Sequence, residues 1–260
     1  MKKFWSILLA VMLVAALGVA GCGTDNTSQP TPVDEVSFEG ETLNLYVAAG
    51  MKKAMDQVIE IFEEKTKATV AVNYGSSGGL YAQIEQGQPC DIYFSADWLY
   101  IEKLLEADKV EESRKFLNDN LVLVVSESAK DKVTKMEDLC KEGVTLVIAD
   151  PQAPVGVYSE TALRNLGLWD NVSIKAMPST VNQVAIMVKE DQLDAGLLYS
   201  SVAKANGFEP VEVIDDQYSG EIIFGLAVMK DGKKDMAKAF MQEAIDNVQI
   251  FEQYGWRAYE

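Results

Sequence analysis

Residues 73–97, NYGSSGGLYAQIEQGQPCDIYFSAD, contain the elements around which the rest of the chain is organised. It starts at the end of a predicted strand, residues 70–74, and continues into a turn of small residues, 75–79. A short amphipathic helix follows, and a second predicted strand covers residues 91–95. The first N–H groups of a helix have no partner within the helix, and the helix dipole adds partial positive charge there. A glycine- and serine-rich turn between a strand and a helix therefore predicts a site for an anion.

The same turn also matches the pattern G-x-S-x-G, in which Ser77 would be the nucleophile of an α/β-hydrolase. That chemistry needs a base to accept the serine proton, and the base is normally a histidine. The chain of 260 residues contains no histidine. The serine hydrolase remains an alternative to the anion site, and so does a turn whose small residues serve packing alone.

The composition argues against several classes of partner. The formal net charge of −17 and the isoelectric point near 4.4 argue against binding to nucleic acid or to anionic lipid surfaces. Since the overall charge does not attract anions, an anion site in this chain has to work through local donors. The absence of histidine also argues against most catalytic zinc sites and against a histidine switch near neutral pH.

The N-terminal region predicts an exported lipoprotein. Lys2 and Lys3 precede an apolar run, residues 4–20, and the run ends in Val19-Ala20-Gly21-Cys22. A cysteine directly after small residues resembles the lipobox of bacterial lipoproteins, so we expect a signal peptide, 1–21, and a lipid on Cys22. An uncleaved anchor helix is the alternative, because 17 apolar residues could just span a bilayer. The polar segment 22–40 predicts a flexible tether that holds the folded part outside the cell membrane.

Predicted strands and helices alternate along the rest of the chain, which predicts an α/β protein with largely parallel sheets. The order strand, small-residue turn, helix, strand occurs twice, and strand-like runs near Leu121 and Ile222 join the two halves. We therefore expect two α/β lobes, 41–121 with 226–260 and 122–225, linked by two crossing segments. The ligand would lie in the cleft at the carboxyl ends of the strands. Five turns at such ends are candidates: Ala49-Gly50, Ser76-Ser77, Pro154–Val157, Thr180-Val181 and Tyr199.

Two cysteines remain after Cys22, namely Cys90 and Cys140. In an exported protein they could form a disulfide. The predicted architecture places them in different lobes, which favours two small buried hydrophobic residues with free thiols.

Several blocks of the sequence together resemble the molybdate-binding proteins of ABC transporters. The resemblance extends from Leu43 to Trp256 and implies the periplasmic-binding-protein fold, with two lobes, a ligand cleft and two crossing hinge segments. The block from Ser76 to Asp97 is its most specific part. The blocks, in chain order, are AAGMKKAM, NYGSSGGLYAQIEQGQPCDIYFSAD, ADPQAPVGVYSETALRNLGLWD, AGLLYSSVA and FEQYGW.

The resemblance also implies which residues hold the ligand. In that family a tetrahedral oxyanion is bound by serine hydroxyls, backbone N–H groups and one tyrosine hydroxyl, without positive side chains. Matched residue by residue, this points to Ser77, Val155, Val181 and Tyr199. The first position of the family pattern is usually a serine, and it is Gly50 here. Gly50 keeps the backbone N–H and lacks the hydroxyl, which bears on affinity and on the choice of anion.

Neutral donors suit a dianion that carries no proton, such as molybdate or tungstate. Phosphate would need an acceptor for its remaining proton, and none of the five turns has a carboxylate at its tip; Asp150 precedes the third turn. The resemblance implies no catalysis and no cofactor, a membrane permease as partner, and a monomer attached to the membrane by its lipid. A receptor of the same fold for another anion, such as sulfate, is a further alternative.

Overall fold

Residues 37–260 are described by a computed structural model. The predicted signal peptide, the lipidation site Cys22 and nearly all of the tether lie outside the described residues. The strands are β1 (Thr42–Ala48), β2 (Thr69–Gly75), β3 (Ile92–Ser95), β4 (Val110–Asp119), β5 (Leu121–Val125), β6 (Leu146–Val147), β7 (Ile174–Ala176), β8 (Ala195–Tyr199), β9 (Glu212–Val213), β10 (Ile222–Met229) and β11 (Arg257–Ala258). The α-helices are α1 (Lys52–Thr66), α2 (Ser77–Glu85), α3 (Trp98–Glu106), α4 (Pro154–Asn165), α5 (Val181–Lys189), α6 (Ser200–Ala205), α7 (Asp216–Ser219), α8 (Lys234–Asp246) and α9 (Val248–Glu252). Short 3-10 helices lie at Ala49–Met51, Glu127–Ala129, Met136–Cys140 and Trp169–Asn171.

Six strands form the first sheet, in the order β11-β4-β10-β3-β1-β2. β1 lies between β2 and β3 and is parallel to both of them. Its register pairs Leu45 with Val72 and Ala48 with Gly75, so that β1 and β2 end at the same level. The residues that follow these strands, Ala49-Gly50 and Ser76-Ser77, therefore leave the sheet at one common edge.

Five strands form the second sheet, in the order β7-β6-β8-β5-β9. β6 is parallel to β7 and β8, while β5 is antiparallel to β8 and β9. Every residue of β5 and of β8 is buried, which explains why their dense apolar runs predict strands. Helix α5 packs on β8 so closely that a Cβ atom on Gly196 would lie 2.8 Å from Cγ2 of Val188.

The chain passes between the two sheets twice. Only Asn120 separates β4 in the first sheet from β5 in the second, and residues 214–221 lead from β9 back to β10. We call the first sheet with its helices the first lobe, and the second sheet with its helices the second lobe. The predicted divisions after residues 121 and 225 fall near these crossings. The exact divisions remain a prediction. Strand β10 begins at Ile222, which lies inside the segment assigned to the second lobe.

The prediction that the sheets are largely parallel is wrong. Among the described strands, four pairs are parallel and five are antiparallel. Two parallel neighbouring strands need a crossover connection between them. Such pairs occur within each lobe, between β1, β2 and β3 and between β6, β7 and β8. The strands next to the crossings, β4, β5 and β10, carry the chain directly from one lobe to the other and pair in the opposite direction.

Cys90 and Cys140 are free thiols, as predicted, although both are half-buried and neither is fully buried. Burial raises the pKa of the Cys90 thiol. Within residues 37–260, none of the helices is long and apolar enough to cross a membrane.

Candidate functional site

The carboxyl ends of the parallel strands of both lobes meet around one small cavity. Its volume is about 20 Å³, against the roughly 10–15 Å³ that one water molecule requires. All five residues predicted to bind the anion line this cavity. The full lining is Ala48, Ala49, Gly50, Gly75, Ser76, Ser77, Ala96, Ala153, Pro154, Val155, Thr180, Val181 and Tyr199.

Four of the predicted residues lie in the first turn of a helix. Ser77 is the first residue of α2 and Val181 the first of α5, while Val155 is the second residue of α4. Gly50 lies in the 3-10 helix that precedes α1. N–H groups at these positions have no acceptor within their own helix, so they can bond a ligand in the cavity. Thr180 caps α5 and forms a capping box with Gln183, as its place before the helix predicts.

Ser77 is held in one orientation by the first lobe. Its side chain is buried, and its Oγ atom accepts a hydrogen bond of 2.9 Å from the N–H of Ala96. The hydroxyl of Tyr93 donates to the Ser77 carbonyl over 2.8 Å. Because Oγ already accepts from Ala96, the serine proton remains for donation to an acceptor in the cavity.

Tyr199 ends β8 and is the N-cap residue of α6. Burial raises the pKa of its hydroxyl well above the ordinary value, and the nearby groups Tyr158 and Asp97 raise it further. The hydroxyl therefore stays protonated and acts as a donor. Its hydrogen bond to the Ala96 carbonyl is long, 3.4 Å, so a stronger acceptor in the cavity would compete for it.

Gly50 does not need to be glycine for its backbone conformation, since its φ angle is not in the left-handed region. A Cβ atom at this position would lie 3.2 Å from Cγ2 of Val202 and 3.3 Å from Cγ1 of Val181. Both valines belong to the second lobe, and Gly50 belongs to the first. The close approach of the two lobes therefore favours the smallest residue at position 50.

None of the residues that line the cavity carries a charge. Asp150, the carboxylate that precedes the third predicted turn, accepts a hydrogen bond from the N–H of Gln152 at 2.8 Å and is not among the residues that line the cavity. The lining also places no lysine beside Ser77, and the chain contains no histidine. The cavity thus offers neutral donors to an anion and offers Ser77 no base of the kind a hydrolase uses.

Two further hydrogen bonds join the lobes beside the cavity. The N–H of Gly78 donates to the carbonyl of Gln152 at 3.0 Å, and Lys53 Nζ donates to the carbonyl of Ala205. Gly78 follows Ser77, and Gln152 lies just before the start of α4. Lys53 carries a positive charge in the first turn of α1, where it is unfavourable for the helix dipole. Its partner is the carbonyl of Ala205, at the C-terminal end of α6.

Asp119 is a buried residue near the site, and no pattern in the sequence indicates it. It ends β4 in the first lobe and is 1% exposed. Its carboxylate accepts from the hydroxyls of Ser200, at 2.6 Å, and Ser201, and from the N–H of Asn120 at 2.7 Å. The two serines open α6 directly after Tyr199. Burial raises the pKa of Asp119 to about 6, and these hydrogen bonds offset part of the rise.

Two α/β lobes thus enclose a small cavity lined by neutral donors, an arrangement typical of proteins that bind a small solute between two lobes. The chain belongs to the family described as bacterial extracellular solute-binding proteins, which matches residues 43–257. It is 30% identical over 269 aligned residues to YvgL of Bacillus subtilis (strain 168), provisionally named an ABC transporter substrate-binding lipoprotein; the match covers 99% of this chain and 100% of YvgL. It is 27% identical to the molybdate-binding protein ModA of Escherichia coli (strain K12), over 82% of this chain and 88% of ModA.

Solved structures share the two-lobed fold. The periplasmic molybdate-binding protein of Azotobacter vinelandii superposes with a TM-score of 0.74 at 24% identity and covers 84% of this chain and 100% of its own. The sulfate-binding protein SubI of Mycobacterium tuberculosis H37Rv superposes with a TM-score of 0.71 at 16% identity, over 85% of this chain and 88% of its own. At these identities the likeness concerns the fold alone.

Replacing Asp119 by asparagine should change the pH dependence of stability. Because the pKa of Asp119 is raised on folding, the folded protein binds its proton more tightly, and the carboxyl contributes more stability as the pH falls below about 6. Between pH 7.5 and pH 5, the free energy of unfolding of the wild type should rise by about 1.4 kcal/mol relative to Asp119→Asn. Urea unfolding at both pH values measures this difference. A constant difference would mean that Asp119 does not titrate in this range.

Proposed function

We propose that this protein is an extracytoplasmic receptor that binds molybdate, and tungstate with it, and delivers the anion to the permease of an ABC transporter. The observation that carries the proposal is the set of neutral donors around one uncharged cavity of about 20 Å³. Gly50, Ser77, Val155 and Val181 offer first-turn N–H groups, and Tyr199 offers its hydroxyl. These donors come from both lobes, so a bound anion would hold the lobes together.

The chemistry of the donors favours a dianion that carries no proton. Ser77 and Tyr199 can each donate one hydroxyl proton, and helix N-termini stabilise negative charge. A protonated oxyanion such as monohydrogen phosphate would need an acceptor, and no carboxylate lines the cavity. The donors do not titrate between pH 6 and pH 8, because serine, backbone amide and a buried tyrosine all keep their protons there.

The similarity to ModA of Escherichia coli supports molybdate as the ligand, since the match covers most of both chains. The sulfate-binding protein SubI has the same fold, which makes sulfate the anion against which selectivity has to be measured. With neutral donors of the same kind, discrimination between these dianions rests on the fit of the cavity to the ion.

We also propose that a lipid attaches the receptor to the membrane. Cys22 would carry the lipid after removal of residues 1–21, and the tether 22–40 would give the folded part its reach. YvgL, which matches along its whole length, is provisionally named a lipoprotein. A monomer fits this role, because donors of a single chain complete the cavity.

Ser77→Ala should weaken molybdate binding by roughly ten- to a hundredfold. The hydroxyl would donate a charge-assisted hydrogen bond, which is worth about 1.5–3 kcal/mol. The substitution should also lower the free energy of unfolding by about 1–3 kcal/mol, because the buried N–H of Ala96 loses its acceptor. Titration followed by tryptophan fluorescence, with molybdate, tungstate, sulfate and phosphate in parallel, measures binding. Trp98 and Trp169 lie in different lobes and report on closure.

Ser95→Ala is the matched control for this experiment. Ser95 is also buried at the end of β3, and its hydroxyl donates to the Asp97 carbonyl at 2.7 Å, but it does not line the cavity. The Ser95→Ala variant should be less stable than the wild type, and its affinity for molybdate should stay within about threefold of the wild-type value. If Ser77→Ala binds as tightly as the wild type, the turn 75–79 is not the anion site. If the wild type prefers sulfate, the choice of molybdate is wrong and the site stands.

Gly50→Ala and Gly50→Ser together should separate the loss of space from the gain of a hydroxyl. Alanine adds only the Cβ atom, which crowds Val181 and Val202, and should weaken molybdate binding. Serine adds the same atom and a donor, so it should bind molybdate about tenfold more tightly than the alanine variant. Calorimetric titration of both variants measures the ratio. Equal affinities of the two variants would show that a hydroxyl at position 50 does not reach the anion.

Cys22→Ala should leave the precursor unprocessed and without lipid, because lipoprotein cleavage requires the cysteine. Gel mobility, metabolic labelling with a fatty acid and treatment with the signal-peptidase inhibitor globomycin measure this in the intact cell. The wild type should be labelled and the variant should not. Release of a shorter, unlabelled wild-type protein would rule out the lipid anchor and leave the binding function untouched.

A further inference from the structure

A second cavity, a groove of about 250 Å³, lies beside the anion cavity and is lined by both lobes. Gly50 is the residue that the two cavities share. Asn182 lines the groove and does not line the anion cavity, although it follows Val181 directly. Asn182 therefore lies next to the proposed ligand without facing it.

The side chain of Asn182 crosses from the second lobe to the first. Its Nδ2 atom donates to the carbonyl of Ala49 at 2.7 Å. A carbonyl only accepts, so the nitrogen of the amide has to face it. The same carbonyl accepts from the N–H of Lys52, which closes the 3-10 turn before α1. Two donors thus hold the carbonyl of Ala49, one from each lobe.

The carbonyl of Ala49 and the N–H of Gly50 belong to one peptide unit. A peptide unit is planar, and in the trans form its C=O and N–H point in opposite directions. A donor on the carbonyl fixes the direction of the N–H at the other end and polarises it as a donor. This orientation matters most at a glycine, whose backbone is the least restricted of all residues.

We propose that Asn182 is a positioning residue: through the Ala49 carbonyl it aims the Gly50 N–H at the bound anion, at the one site position that lacks the hydroxyl. The inference rests on the proposed function and deepens it, because it explains how the site works with glycine at position 50. The hydrogen bond joins the lobes, so it forms as they come together. Loss of Asn182 therefore frees the anion faster instead of slowing its entry.

Asn182→Leu, which keeps the approximate size and removes the donor, is the test variant. We expect a molybdate dissociation constant about tenfold higher than in the wild type, with most of the change in the dissociation rate. The Asn182→Asp variant should bind molybdate more weakly still, because it replaces the donor by a negative charge near the carbonyl and the anion. Stopped-flow tryptophan fluorescence measures both rates. The ¹⁵N resonance of Gly50 in the molybdate-bound protein, with that of Ser77 as internal reference, reports the hydrogen bond itself.

Asn206→Leu is the matched control. Asn206 lines the same groove, but its Nδ2 atom donates to the Val202 carbonyl within its own lobe, at 2.8 Å. The Asn206→Leu variant should bind molybdate with a dissociation constant within about twofold of the wild-type value, and its Gly50 resonance should be unchanged. If Asn182→Leu keeps the wild-type dissociation rate, or if the Gly50 resonance is the same in both, the inference is overturned.

Failure of the proposed function would look different. If the wild type binds sulfate or another anion in place of molybdate and tungstate, the proposed function fails, and the Gly50 resonance is then compared in the complex with that anion. A shift at Gly50 that is absent at Ser77 on going from the wild type to Asn182→Leu would support the positioning role. Identical resonances would overturn it.

Discussion

The structure depends on the N–H groups of several helix starts that face one another between the lobes. Each start carries partial positive charge, and like charges at close range repel. The first turns that contain Gly50, Ser77, Val155 and Val181 come from different strands of two sheets. An acceptor with negative charge between them removes the repulsion and satisfies the donors at once. Binding of the proposed anion at this place would therefore also favour closure of the lobes.

Neutral donors would also allow an acidic protein to bind the proposed anion. With a formal charge of −17, the protein does not attract a dianion from a distance. Within a Debye length of the site, about 8 Å at physiological salt, the local dipoles dominate. Two carboxylates near the site bond other donors. The buried Asp119 bonds the serines that open α6, and the half-buried Asp97 accepts from the N–H of Leu99 at 2.8 Å. Neither carboxylate lines the cavity.

Much of this arrangement can be predicted from the sequence, because the relevant signals are local. Small residues between an apolar run and a helix mark the turns at Ser77 and Val181, and the structure places both on the cavity. Strand β4 gives no such signal. Its sequence VEESRKFLND is highly charged, and it is a strand because β10, more than a hundred residues later in the chain, pairs with it.

The contacts of Asp119 could not be predicted for the same reason. Its partners, Ser200 and Ser201, lie 81 and 82 residues away, and nothing near Asp119 in the sequence indicates a buried carboxylate. The direction of the strands at the crossings was also beyond the local pattern. Alternation of strands and helices indicates parallel pairs, and it does not indicate which strand enters the neighbouring lobe.

The hydrogen bonds of Asp119 lie beside one of the two crossings, where a rotation of the lobes about the crossings would displace the site least. Asp119 in the first lobe is bonded to Ser200 and Ser201 in the second, one residue from the crossing at Asn120. In a rigid rotation, displacement grows with distance from the axis, and an axis through the crossings passes close to these bonds. Tyr199 is adjacent to these bonds in the chain, so a rotation about that axis would displace it little. An arriving anion would meet Tyr199 already near its final place, and the last donors to arrive would be those farthest from the hinge.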